Sequence, residues 1–163
     1  MNIVVTVDEN WAIGGKDGLL VQIPADLRNQ QRLTAGGIMV MGRKTFQAMP
    51  QGTPVYGTDS IVLSENASYS AKGAKTVHSK DELLAALNDA KEKEVFVLGG
   101  ESIYRLLLSH CDTAYVTMVE KAYAASRYFE NLDESGEWKL TEESDEQTYF
   151  DITYYFRKYE RDR

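Results

Sequence analysis

Short apolar runs, each closed by glycines or by a polar turn, alternate along this chain with stretches whose apolar residues recur three and four apart. The run Ile3 to Val7 is β-branched and continuous, and Asp8-Glu9-Asn10 ends it. That pattern predicts a buried strand and a turn. From Ile13 to Leu27 three glycines precede an apolar patch, and Pro24 then opens a helix that runs through Leu33 and stops at Gly36-Gly37. Ile38 to Met41 reads as a second buried strand, followed at Gly42-Arg43-Lys44-Thr45 by a short helix reaching about Met49. Ser60 to Leu63 and Lys75 to His78 read as the third and fourth strands. Ser79 with Glu82 forms a capping box that opens a helix with Leu83, Leu84 and Leu87 on one side. Glu94 to Leu98 is the fifth strand, turning at Gly99-Gly100 into a helix from Glu101 to Leu108. Thr113 to Glu120 is the sixth. After a long irregular segment, Trp138 to Thr141 and Tyr149 to Tyr159 close the chain as strands.

Strand and helix alternate first and two strands come last. The expected fold is therefore α/β, a mostly parallel central sheet of about eight strands with helices on both faces and an antiparallel C-terminal strand. The length of 163 residues fits one domain spanning 1–163. The formal net charge of −7, without a basic run or stripe, argues against a nucleic-acid partner. No apolar run approaches a membrane span, and the start Met1-Asn2-Ile3-Val4-Val5 lacks the pattern of a secretion signal, so a cytoplasmic location is expected; a monomer is expected separately, without a sequence feature that fixes it. Cys111 is the only cysteine, and its neighbour His110 points away from it on a helix end, so neither a disulfide nor a metal site is expected.

Asp26 is the residue around which the candidate chemistry gathers. An acid in a first helical turn can be a capping group, because free backbone N–H groups favour negative charge there. Here Leu19, Leu20, Val21, Ile23 and Leu27 surround it in sequence, and a carboxyl at an apolar edge has its pKa pushed up by desolvation. Two strand-to-helix corners add a second chemistry. Gly42 to Thr45 brings two cations and a hydroxyl to a helix start, and Gly99-Gly100 lets backbone approach a ligand closely. The residues between Gly37 and Gly42 form a strand, which excludes a phosphate-wrapping P-loop. Two such corners on one sheet suit the separate phosphates of a dinucleotide at the carboxyl ends of parallel strands.

Taken in order, Ile13-Gly14 with Gly18-Leu19, Ile23-Pro24-Ala25-Asp26-Leu27, Met41 to Thr45, Ile61 to Ser64, Leu98-Gly99-Gly100 with Ile103-Tyr104, and Tyr115-Val116-Thr117 resemble the dihydrofolate reductase family over nearly the whole chain. The resemblance implies an oxidoreductase that uses NADPH, with NADH as the other candidate, to reduce 7,8-dihydrofolate to tetrahydrofolate. It implies that Asp26 hydrogen-bonds the pteridine and assists its protonation through water, supported by Thr117. Val5, Val21, Leu27, Gln30 and Leu98 are the implied substrate contacts. The implied cofactor contacts are Ile13, Gly14, Gly18, Leu19, Gly42, Arg43, Lys44, Thr45, Leu63, Ser64, His78, Gly99, Gly100, Glu101, Ser102, Ile103 and Tyr104. Arg43 is implied near the adenosine 2′-phosphate and Thr45 near the pyrophosphate, while Ile13 to Leu20 is implied as the loop that closes over the nicotinamide.

The chain departs from the family on the substrate side. Val21 stands where an aromatic is common, and Gln30 stands where phenylalanine packs against substrate. Thr58 of Pro54-Val55-Tyr56-Gly57-Thr58 occupies the position of the arginine that clamps the glutamate carboxylate of folate. Near the cofactor, Glu65 replaces a small polar or basic residue, and Ala125-Ser126-Arg127 replaces Gly-Asp-Thr. These departures sustain two other expectations: a reductase of a pterin or aminopyrimidine lacking the glutamate tail, or a catalytically weak ligand-binding paralogue.

Overall fold

The computed structural model describes residues 1–15, 18–19, 21–49 and 59–162. The main sheet runs in the order β10 (Trp138–Glu143), β12 (Ile152–Arg161), β8 (Thr113–Val119), β1 (Asn2–Val7), β7 (Val95–Gly99), β4 (Ile38–Gly42), β5 (Asp59–Leu63) and β6 (Lys75–Val77), with β11 (Gln147–Tyr149) paired to β12. Its parallel part comprises β1, β4, β5, β6, β7 and β8. β12 lies antiparallel to β8, and β10 antiparallel to β12.

Side-chain alternation along the strands divides the core by face. On one face Ile3, Val5, Val7, Val40, Ile61, Leu63 and Val97 pack with Leu83 and Leu87 of α3 (Lys80–Asn88) and with Ile103 and Leu107 of α4 (Glu101–Leu107). On the other, Met39, Met41 and Val62 pack with Phe46 of α2 (Arg43–Gln47). The start of α1 (Pro24–Thr34) shares that second face, where Ile23 meets Val119 and Tyr154. Helices on both faces explain why the central strands are apolar at nearly every position rather than at alternate ones. The Ser79 half of the capping box at α3 forms, since Ser79 Oγ accepts from Glu82 N at 3.1 Å. The Glu82 carboxylate reaches back one residue further, accepting from His78 N at 2.9 Å.

Three features differ from the sequence reading. The glycine-rich segment expected as a loop contains β2 (Ala12–Gly15) and β3 (Gly18–Leu19), and the segment expected as irregular contains β9 (Arg127–Tyr128). These form a separate small sheet in the order β3-β2-β9. Glycine-rich pairs of two to four residues have no side-chain period to betray them, because backbone hydrogen bonds alone make the ladder. The expected strand Tyr149 to Tyr159 is a hairpin. β11 (Gln147–Tyr149) turns back onto β12 through Phe150, whose φ of 55° breaks the extended run. The main sheet thus has nine strands among the described residues, eight along its path and β11 beside β12, in keeping with the sheet of about eight strands expected.

Candidate active site

The N-terminus of α1 delivers Asp26 to the sheet. Pro24 occupies the first turn, where its missing N–H costs nothing, and Ile23 is the extended residue before it. Among the described residues no side chain caps this helix. Asp26 is instead turned inward and is buried, at 5% exposure. Its Oδ1 accepts a hydrogen bond of 2.6 Å from Thr117 Oγ1 on β8, and its Oδ2 one of 2.5 Å from Thr6 Oγ1 on β1. Gln30, one helical turn along α1, places its amide nitrogen 3.5 Å from the same Oδ2 and 3.4 Å from Thr6 Oγ1.

Burial pushes the Asp26 carboxyl above its ordinary pKa, and donation from Thr117, Thr6 and Gln30 pulls it back only in part. An acid in that balance holds its proton to higher pH than a surface aspartate while remaining pointed by fixed donors. Tyr104, buried on α4, donates to the Val4 carbonyl at 2.7 Å, which ties β1 to the end of β7 through α4. Burial, with the Asp26 charge adding to it, also raises the Tyr104 phenol and keeps it neutral.

The apolar residues named from the sequence separate in the structure. Leu27 is 37% exposed beside Asp26, and half-buried Val21 packs onto the Ile23, Val119 and Tyr154 cluster. Leu98 borders the Met41 and Phe46 cluster, at a register shift that makes it the extra residue of β7 opposite β4. Val5 lies on the other face of β1, in the core under α3 and α4, and the β1 side chain that meets the acid is its neighbour Thr6. Sequence reading passed over Thr6, although a hydroxyl inside a buried β-branched run needs a partner and was the available signal. A cleft of about 340 Å³ also opens between α1 and the C-terminal strands, lined in part by Gln30, Leu33, Tyr115, Thr117 and Phe156. Its lining includes Gln30 and Thr117, two partners of the acid.

Those corners adjoin each other because β4 and β7 are neighbouring parallel strands. A Cβ added to Gly42 would lie 3.2 Å from the Ile103 side chain and 3.8 Å from the Gly99 carbonyl, and one added to Gly100 would lie 3.9 Å from Thr45 Oγ1. Gly99 has a φ of +102°, and a Cβ there would fall 2.6 Å from the Tyr104 ring, so glycine is required on both counts. The Gly99–Gly100 peptide is cis. Arg43 and Lys44 are exposed at the α2 start, Arg43 bonded only loosely to Gln47 at 3.3 Å among the described contacts. Ser102 is exposed at the α4 start, while Ile103 and Tyr104 point into the core.

One strand further out, Leu63 ends β5, and His78 Nδ1 meets the carbonyl of buried Ser64 at 2.9 Å, which makes Nδ1 the protonated nitrogen. Glu65 beside it is exposed. Glu101 turns away from the corner: its Oε2 accepts from Tyr128 N at 2.7 Å, joining α4 to β9. Ile13 is buried in the core, and Gly14 pairs with Leu19 and accepts from Ser126 N at 3.1 Å. Arg127 donates to the Gly15 carbonyl at 2.5 Å, so the Ala125-Ser126-Arg127 segment anchors this small sheet. Leu20 and the Pro54 to Thr58 segment, with the position expected to lack the substrate clamp, lie outside the described residues. Arg28 and Arg32 are exposed on α1. Cys111 is buried and donates to the Leu107 carbonyl at 3.3 Å.

The fold and this arrangement define an α/β protein with one buried, hydroxyl-bracketed acid on its sheet and two open glycine corners on adjacent strands. The dihydrofolate reductase family model matches residues 1–161. The chain is 34% identical over 145 residues to a type 3 dihydrofolate reductase of Salmonella typhimurium, covering 88% of this chain and 86% of that one. It is 30% identical over 165 residues to the dihydrofolate reductase of Bacillus subtilis, covering 99% and 94%. A solved dihydrofolate reductase from Enterococcus faecalis, complexed with NADP(H) and RAB-propyl, superposes with a TM-score of 0.85 at 25% identity, covering 99% of this chain and 96% of that one. The chain belongs to the dihydrofolate reductase family.

Proposed function

We propose that this chain reduces 7,8-dihydrofolate to tetrahydrofolate with NADPH and that Asp26 is its catalytic acid. The single observation that carries the reading is a buried, desolvated carboxyl held by Thr117 from β8, in a chain of this family. Asp26 hydrogen-bonds the amino and ring N–H groups of the pteridine and holds the proton that reaches the substrate nitrogen through water. A raised pKa keeps a larger share of Asp26 protonated near neutrality than a surface aspartate would have, which is the condition for that role. Leu27 supplies apolar surface beside the acid.

The corners fit a dinucleotide phosphate. A side chain at Gly99 would clash and one at Gly42 would crowd Ile103, while the adjacent helix starts carry Arg43, Lys44 and the Thr45 hydroxyl. Arg43 and Lys44 would meet the 2′-phosphate side of NADPH, and Thr45 with Gly99 and Gly100 the pyrophosphate. When bound, NADPH supplies the hydride. Ile13, Gly14, Gly18 and Leu19 bear on the nicotinamide end through the small sheet, whose anchoring by Arg127 and Ser126 helps exclude water. Leu63, Ser64 and His78 extend the cofactor side along the next strand. The chain acts as a single domain over 1–163, a reading supported by the family match over nearly all of it. We place it in the cytoplasm as a monomer without a nucleic-acid partner; among the described residues no helix is long and apolar enough to cross a membrane.

A second reading rests on Gln30, whose amide is directed at Asp26 and Thr6, where the family carries a phenylalanine packed on substrate. It makes the substrate a pterin without the glutamate tail. One assay separates the two: purified protein, NADPH or NADH, and dihydrofolate or dihydropterin, followed by loss of reduced-nicotinamide absorbance. Dihydrofolate turning over with a higher kcat/KM than dihydropterin is the expected result. Turnover of dihydropterin alone would select the second reading, and cofactor binding without oxidation would make the chain a ligand-binding paralogue.

A further inference from the structure

Thr6 and Thr117 are direct partners across the parallel ladder of β1 and β8, so their side chains stand on the same face of the sheet. Asp26 comes down between them from α1, and each hydroxyl takes one carboxylate oxygen, Thr117 at 2.6 Å and Thr6 at 2.5 Å. All three residues are substantially withdrawn from solvent, Asp26 and Thr117 being buried. A carboxylate held by one donor can rotate about its last torsion, whereas two donors from a rigid pair of strands fix its plane. Gln30 closes the α1 side with longer contacts to Oδ2 and to Thr6 Oγ1.

We propose that Thr6 is a positioning residue of the active site: with its ladder partner Thr117 it forms a two-hydroxyl fork that fixes the orientation of the Asp26 carboxyl. This rests on the catalytic reading of Asp26 given above. Thr6 touches neither the pteridine nor the nicotinamide in this account and acts only through the acid. Because hydrogen bonds to the ionised form favour it, the fork also offsets part of the desolvation that raises Asp26. The other titratable or charged groups facing the acid, among the described residues, are Tyr104 from α4 and Tyr154 from β12, with Arg28 from its own helix beside Tyr154. Neither phenol titrates near neutrality, since burial raises both, so a change at Thr6 is read at Asp26 itself.

The test is the titration of the Asp26 carboxyl carbon by 13C NMR in the free protein, with Asp26→Asn providing the assignment, and the pH profile of turnover beside it. Thr6→Val keeps the β-branched shape and removes the hydroxyl. It should raise the titration midpoint by about 0.5–1 pH unit and carry the alkaline fall of the turnover profile upward with it. Thr6→Ser, which restores the hydroxyl, should return both toward the parent values. Should Thr6→Val not fold, Thr6→Ala answers the same question. A midpoint that stays at the parent value in the valine or alanine variant overturns the proposal, and so does a serine variant that behaves like valine. The titration does not depend on the substrate. Failure of dihydrofolate turnover with an intact shift would therefore overturn the functional reading and leave the fork standing.

Discussion

The two halves of the site are built in opposite ways. Asp26 is buried, with both carboxylate oxygens taken by hydroxyls from adjacent strands, whereas Arg43 and Lys44 stand exposed at a helix start, where the 3.3 Å bond to Gln47 is the side-chain contact of Arg43 among the described residues. The acid is aimed by the protein's own hydroxyls, which is how an electrostatic group contributes without reorganising during the reaction. At the corners the rigid component is the backbone. Gly99 is confined by its φ and by the Tyr104 ring, and the charged side chains are left free to settle on a phosphate. Preorganisation lies where a proton must be held at a fixed place, and adaptability lies where an anion needs only to be neutralised.

Four outcomes would break or sharpen this contrast. The largest effect belongs to the acid: Asp26→Asn should lower dihydrofolate turnover at neutral pH by about 10²–10⁴-fold while leaving NADPH affinity nearly intact, read by steady-state kinetics and cofactor titration. Next comes the rigid corner. Gly99→Ala forces a side chain into a left-handed backbone and against Tyr104, and should destabilise the protein by about 1–3 kcal/mol in denaturant melts. Arg43→Ala should weaken NADPH binding by about tenfold and leave NADH binding unchanged, since only NADPH carries the 2′-phosphate.

The smallest effect is a linkage between pH and stability. Because the folded-state pKa of Asp26 is raised, the native state binds more protons than the unfolded chain between 3.8 and the folded value, so this group makes stability fall as pH rises through that window. Asp26→Asn should therefore melt at a higher temperature than the parent at pH 7, with the difference shrinking as the pH falls toward 3.8. A parent protein that melts higher than the variant at pH 7 would mean that the hydroxyl fork outweighs burial.

The same contrast sets what could be read from the sequence. The parallel sheet, its helices and the corners at Gly42 and Gly99 follow from β-branched runs that meet paired or single glycines, a strong local signal. Asp26 was legible as a candidate because an acid sat among Leu19, Val21, Ile23 and Leu27. Its fork was legible only by half. Thr117 came from the family pattern, whereas Thr6 lies twenty residues from Asp26 and meets it only once β1 and β8 are in register. The inward face of Val5 was missed for the same reason: a continuously apolar strand does not say which parity faces which helix. The small sheet of β2, β3 and β9 was invisible because its stability lies in backbone pairing and in the Arg127 contact to Gly15.

The most direct test of the central claim is the rate of hydride transfer from NADPH to dihydrofolate, measured in a single turnover across pH for the parent and for Asp26→Asn. The parent should be fast at low pH and should slow about tenfold per pH unit above the midpoint at which Asp26 titrates, while the variant should be slow throughout its neutral range. A parent rate indifferent to pH, or a variant that matches the parent at neutral pH, would contradict the role given to the buried acid.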